Sequence, residues 1–272
     1  MTGPEMARAV SASERDVARS VRTSAGKSSP LDFVGCMTAV IAILPVSCEA
    51  AQAMLPVGLQ LAAHGVLPPE AHPLVLIMGK QSNVRPRAAP FGASYLEFIL
   101  AVPFVGHRGR GPQGPFCYCP RLFLDRRLPT IAGRLLYGYA KQLATIRMQE
   151  SSYRIAGLAQ GEPLLTARFR TTDAAVEPAQ SGAAALFDLP VISEAGRGWW
   201  YSVADFGLER AVVRPVELDL VIHRPFVSGV PVGQFRIAGL DADGARALRI
   251  RTSWKLAGPW ARRSPPYARG WT

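Results

Sequence analysis

Residues 246 to 256 alternate without a break: Leu248, Ile250, Thr252 and Trp254 fall on one side, and Arg249, Arg251, Ser253 and Lys255 on the other. A period of two is the signature of a strand with one buried and one wet face, which belongs in an antiparallel sheet rather than a parallel one covered on both sides. Further strands are expected near 37–44, 73–79, 94–104, 143–157, 163–172, 199–204 and 211–223, those at 73–79 and 94–104 as buried strands. Helices are few. A short one is expected near 48–55, with Ser47 as N-cap and Pro56-Val-Gly58 as its stop, and a second over 129–140 that delivers Lys141 at its end. The segment 106–120 reads as a Gly/Pro-rich loop. There is no internal repeat. The pattern predicts an α+β chain, mainly antiparallel β, whose curled or barrel-like sheet surrounds a ligand cavity.

With 272 residues, 49% of them hydrophobic, the chain can bury one large core. Residues 1–31, rich in Ser, Ala and charge, read as a mobile leader, 32–257 as a single domain and 258–272 as a basic tail. The most apolar stretch, Phe33 to Val46, is interrupted by Gly35 and Pro45 and falls short of the roughly 20 residues a spanning helix needs. No membrane association is expected. The first thirty residues carry no apolar signal-peptide core, so the expected location is the cytoplasm. The four cysteines and the scattered histidines 64, 72, 107 and 223 lack zinc spacing, which points to reduced thiols, no metal and no cofactor. The formal charge of +11 is concentrated after Arg246 and between Gly106 and Arg127. No nucleic-acid-binding motif accompanies it, so these patches are read as a solvated or subunit-contact surface, with a homo-oligomer expected and no nucleic acid.

Only four of the 31 basic residues are lysine, and one of them, Lys141, sits in apolar and aromatic company: Pro129-Thr-Ile-Ala-Gly-Arg-Leu-Leu-Tyr-Gly-Tyr-Ala-Lys141-Gln-Leu. A guanidinium stays charged wherever it is placed, whereas burial or a nearby cation can free an ammonium of its proton. Such a lysine is a candidate amine nucleophile.

Pro129, Ile131, Ala132, Gly133, Arg134, Tyr139, Lys141 and Leu143 match a segment of the acetoacetate decarboxylase family, Pro-x-Ile-Ala-x-Gly-Arg-x-x-Ser-x-Tyr-Pro-Lys-Lys-Leu, with one residue fewer before the Gly-Arg pair. Upstream, Ser94-Tyr95-Leu96-Glu97 through Ala101-Val102-Pro103 resembles that family's Ser-Tyr-x-Glu-x-x-x-Ala-Ile-Pro strand. Downstream, Glu217 through His223 to Pro231-Val-Gly233 is similar to a third element, in family order. The resemblance implies that Lys141 forms a Schiff base with a keto or enone substrate and that Glu97 faces it as general acid or base. It also implies that Tyr95, Arg134, Tyr139 and Gln142 contact the substrate.

The departures bear on mechanism. The family's second lysine is replaced by Gln142, the early arginine aligns with Pro45, and no acid lies between Glu70 and Glu97 to supply a further family glutamate. Arg85, Arg87 or Arg134 would have to anchor a carboxylate instead. The expectation is a carbon–carbon lyase of aldolase or dehydratase type that is not an efficient acetoacetate decarboxylase. A non-catalytic small-molecule-binding barrel and an interaction protein using its basic tail are the alternatives.

Overall fold

A computed structural model describes residues 32–108, 114–158, 161–172, 174–178, 184–195, 198–239 and 246–261. The leader 1–31 lies outside these residues, as does the tail beyond residue 261.

Three long strands come first: β1 (Phe33–Ser47), β3 (Ala71–Pro86) and β4 (Ala93–His107), with the short β2 (Leu59–Leu61) pairing to β4. They pair antiparallel as neighbours, followed by β5 (Phe116–Leu124). The sheet continues through β10 (Val191–Ala195) and β11 (Gly198–Asp205) to β14 (Arg246–Ala261). β14 in turn pairs with β1, Phe33 opposite Leu256 through Ile43 opposite Arg246, so the path returns to its start and the sheet curls on itself. A second group, β7 (Thr145–Met148), β8 (Ser152–Ala156), β9 (Pro163–Thr171), β12 (Val212–Ile222) and β13 (Gly233–Ala238), joins through the pairing of β12 with β14.

β1 and β3 are apolar at successive positions because both their faces are covered. Even-numbered residues Val40, Ala42, Leu74, Leu76 and Met78 pack with Ile155, Leu165, Leu218 and Leu220 of the second group. Odd-numbered residues Met37, Ala39, Ile41, Val75 and Ile77 belong to a separate cluster inside the curl, with Ile250 and Leu248. The parity of a residue on these strands therefore decides which core it joins.

Helix α1 (Cys48–Ala53) begins where expected, with Ser47 Oγ accepting from the Ala50 amide at 3.1 Å. Helix α2 (Arg127–Tyr137) ends three residues short of the expected boundary, because Gly138 adopts φ +64° and its amide closes the cap on the Arg134 carbonyl. Lys141 consequently opens strand β6 (Lys141–Leu143), paired parallel to β5, instead of ending a helix. β5 itself begins inside the segment expected to be loop, and β14 runs past residue 257 into the expected tail. Its Gly/Pro flanks and Pro120 hid β5, and β10 and β13 are too short for a period to register. Among the described residues no helix is long and apolar enough to cross a membrane.

His72, 1% exposed, places Nε2 2.7 Å from the Pro103 carbonyl, and burial, with His64 adding to it, pushes the ring down to about 4. An unfolded histidine titrates near 6.5. Since the folded value is the lower one, the stability held by the neutral ring is complete above about pH 6.5 and drains away as pH falls toward about 4. At about 1.4 kcal/mol per pH unit the loss is about 3 kcal/mol. Urea unfolding across this range should show it, and His72→Gln should flatten the pH profile.

Candidate active site

The curl carries Glu97 and Lys141 to the same side. Glu97 stands on β4 opposite Leu124 of β5, and Lys141 on β6 opposite Leu122 of β5, so one strand separates them. Their side chains meet at 3.1 Å, Lys141 Nζ to Glu97 Oε1, with only 9% and 6% of the side chains exposed.

The other carboxylate oxygen is also fixed. Gln81 Nε2 donates to Glu97 Oε2 at 3.2 Å, and Trp254 Nε1 donates to Gln81 Oε1 at 2.9 Å. An indole N–H can only donate, so it settles which end of the Gln81 amide faces it and leaves the NH₂ for Glu97. Glu97 Oε2 must then accept. Any proton Glu97 carries is directed to Oε1, the oxygen against the lysine.

A cavity of about 380 Å³ opens over this pair, walled by Met37, Ile77 and Ile99 from the sheet and by Leu128, Ala132 and Leu136 from α2. The Lys141 ammonium lies 5.9 Å from the ring centres of both Tyr95 and Tyr139, within the range of a cation–π attraction. Tyr139 is held by Ser202, its phenol oxygen 2.6 Å from Ser202 Oγ. Desolvation pushes both phenols well above their ordinary range, and for Tyr95 the Glu97 charge adds to it. They remain neutral dipoles at any physiological pH. The Cys119 thiol, also on the wall, is pushed up by its hydrogen bond with Cys117 and then by burial, so it does not compete as a thiolate nucleophile.

Gly133 explains how a helix can lie so close to the amine. A Cβ there would press on Lys141 Cδ and sit 2.5 Å from Cε and 3.0 Å from Nζ. Gly133→Ala should lower stability on balance, since the gain of about 1 kcal/mol that alanine brings to a helix is outweighed by the clash with a buried side chain and the loosened ion pair. It should displace the amine from Glu97 and cut imine formation at least about tenfold, because reacting groups tolerate little misplacement. Thermal unfolding beside single-turnover imine trapping checks both halves.

Of the six residues expected at the site, four share the cavity wall: Lys141, Glu97, Tyr95 and Tyr139. Two do not. Gln142 is exposed because strand alternation turns it away from Lys141, and Arg134 is exposed on the outer side of α2. A lysine at position 142 would likewise have been solvated. Pro45, Arg87 and Arg147 are exposed and stand off the wall, and Arg85 is tied to the Arg87 and Ala89 carbonyls. The element from Glu217 to His223 also lies apart, with Glu217 paired to Arg170 and His223 to Thr166. Sequence reasoning missed Gln81 and Trp254. The available signal was a lone glutamine following an apolar run on β3, at an odd position that strand parity turns inward.

The family model for acetoacetate decarboxylase matches residues 20–221. No curated protein matches the chain by sequence. Among solved structures, the enduracididine biosynthesis enzyme MppR, complexed with the condensation product of pyruvate and imidazole 4-carboxaldehyde, is similar at 16% identity and a TM-score of 0.56, over 86% of this chain and 90% of that one. Acetoacetate decarboxylase from Legionella pneumophila subsp. pneumophila str. Philadelphia 1 is similar at 14% identity and a TM-score of 0.57, over 86% and 88%. An acetoacetate decarboxylase-like enzyme from Sphingomonas wittichii RW1 follows at 13% and 0.55, over 86% and 94%. At such identities the structures speak for the fold alone, while the family model spans most of the chain and carries the assignment: this chain belongs to the acetoacetate decarboxylase family.

Proposed function

We propose that the protein is an imine-forming lyase for a keto or enone compound, with Lys141 as nucleophile and Glu97 as the acid–base group. The observation that carries this reading is the buried 3.1 Å contact between the only amine and the only carboxylate that the described residues bring to the cavity wall. Passing the proton from Nζ to Glu97 Oε1 leaves a neutral amine and a neutral acid. The amine adds to the carbonyl carbon, and its proton moves to the carbonyl oxygen, giving a carbinolamine. Glu97 then returns its proton to that oxygen, which leaves as water. A protonated imine and a carboxylate remain, so the site regains one positive and one negative charge.

The imine draws electrons from the adjacent carbon far better than the ketone does, and Glu97 is placed to take a proton there. The resulting enamine can join to a second carbonyl or be formed by cleavage of an aldol. Tyr95 and Tyr139, neutral and beside Nζ, complete the polar surroundings of the reacting carbonyl. The structural neighbour MppR was captured with a pyruvate–aldehyde condensation product, which agrees with carbonyl chemistry on this fold.

Sodium borohydride added to the protein with a panel of ketones should fix a mass adduct on Lys141, and the adduct should be absent from Lys141→Ala. A folded protein that gives none across the panel overturns the proposal. The apolar walls would then favour the binding-protein reading, in which Lys141→Ala binds a ligand as tightly as the unaltered chain.

A further inference from the structure

We infer that the substrate is an uncharged carbonyl compound with a long apolar tail, an alkyl or aryl ketone or enone, rather than a small keto acid. The inference rests on the imine reading of Lys141 for the position of the carbonyl, but the tail is argued from the walls alone.

At about 30 Å³ for each water-sized group, a cavity of about 380 Å³ holds roughly a dozen non-hydrogen groups. A three- or four-carbon keto acid, with six or seven non-hydrogen atoms, would leave about half of it unfilled. Among the described residues the wall has no arginine, no histidine and no acid besides Glu97; away from Lys141 it is made of groups such as Phe33, Met37, Phe206, Leu256 and the indole of Trp254. Two of its polar side chains are already engaged: Gln81 between Trp254 and Glu97, Tyr139 with Ser202.

Charge balance excludes a carboxylate independently of size. The pair contributes one positive and one negative charge before reaction and the same after imine formation, so a substrate carboxylate would leave a net buried anion with no cation to meet it. A buried unpaired charge costs several kcal/mol. Burying a methylene instead contributes about 0.8 kcal/mol. The mouth continues the apolar wall: Leu128, on the lining of α2, is 80% exposed, as a rim that meets an apolar tail would be.

The test measures binding of a series of methyl ketones of increasing chain length to Lys141→Met and to the double variant Lys141→Met/Glu97→Gln, which cannot form an imine. Affinity should rise about fourfold for each added methylene until the cavity is full, and then level off. A terminal carboxylate on the same chain should weaken binding at least about tenfold. Ala132→Leu, which thickens one wall, should move the plateau to shorter chains. If affinity does not depend on chain length, or if keto acids bind more tightly than the matching ketones, the inference is overturned. Because these variants carry no amine at the site, a failed borohydride trap in the unaltered protein leaves this result standing, and the two readings are separable. The same series run with the unaltered protein guards against a variant that does not fold.

Discussion

Glu97→Leu should destabilise the fold by about 3 kcal/mol, and Lys141→Met by a similar amount, while the double variant should recover most of the loss. Each single change leaves the partner buried without its counter-charge, which is where the cost of breaking a buried pair arises. Replacing both with apolar groups of similar size removes the charge and its desolvation together, an exchange that is often neutral or stabilising. Urea unfolding of the three variants forms a double-mutant cycle, and a double variant as unstable as the two losses summed would show that the groups are not a pair. On activity the effects should not cancel. Glu97→Gln keeps the shape and the hydrogen bond region but cannot carry the proton, and should slow imine formation by about 10²- to 10⁴-fold. Lys141→Met should abolish it. A stability cycle that closes beside an activity that does not recover would separate the structural role of the pair from its chemical one.

Carbon dioxide release from acetoacetate should remain near the spontaneous rate. The substrate carboxylate would enter a wall whose one cation among the described residues is already paired with Glu97 and is then used to form the imine. Losing one charge-assisted contact to a desolvated anion costs a few kcal/mol, or roughly 10² in rate, before the cost of the unfilled volume is added. The arginines that sequence alone offered as substitutes do not line the cavity: Arg87 and Arg134 are exposed, and Arg85 is held by backbone carbonyls. Acetoacetate can therefore be trapped weakly by borohydride without being turned over. Steady release that depends on Lys141 and stands far above background would defeat this expectation.

The family motif around Lys141 and the strand carrying Glu97 were readable because each is a short contiguous pattern. Their meeting at 3.1 Å was not, since it depends on β5 lying between two strands whose pairing one cannot read from either segment. The same limit explains Arg134 and Gln142. Both stand in the matching motif, yet a helix turn and a strand alternation point them outward, and only the position of the neighbouring layers reveals which side is the cavity.

By itself the sequence determined what local periodicity and covalent chemistry determine: the alternating strand at 246–256, the strands at β1, β3 and β4, the Ser47 cap and the lone lysine among aromatics. Tertiary structure alone decided where α2 stops relative to Lys141, that β14 folds back onto β1, and that Trp254 reaches Gln81 from 173 residues away. The physical reason is that a side chain's direction is set by its own strand or helix, whereas its company is set by sheet curl and register. Those are fixed by the sum of contacts between elements distant in sequence, and no window along the chain contains them.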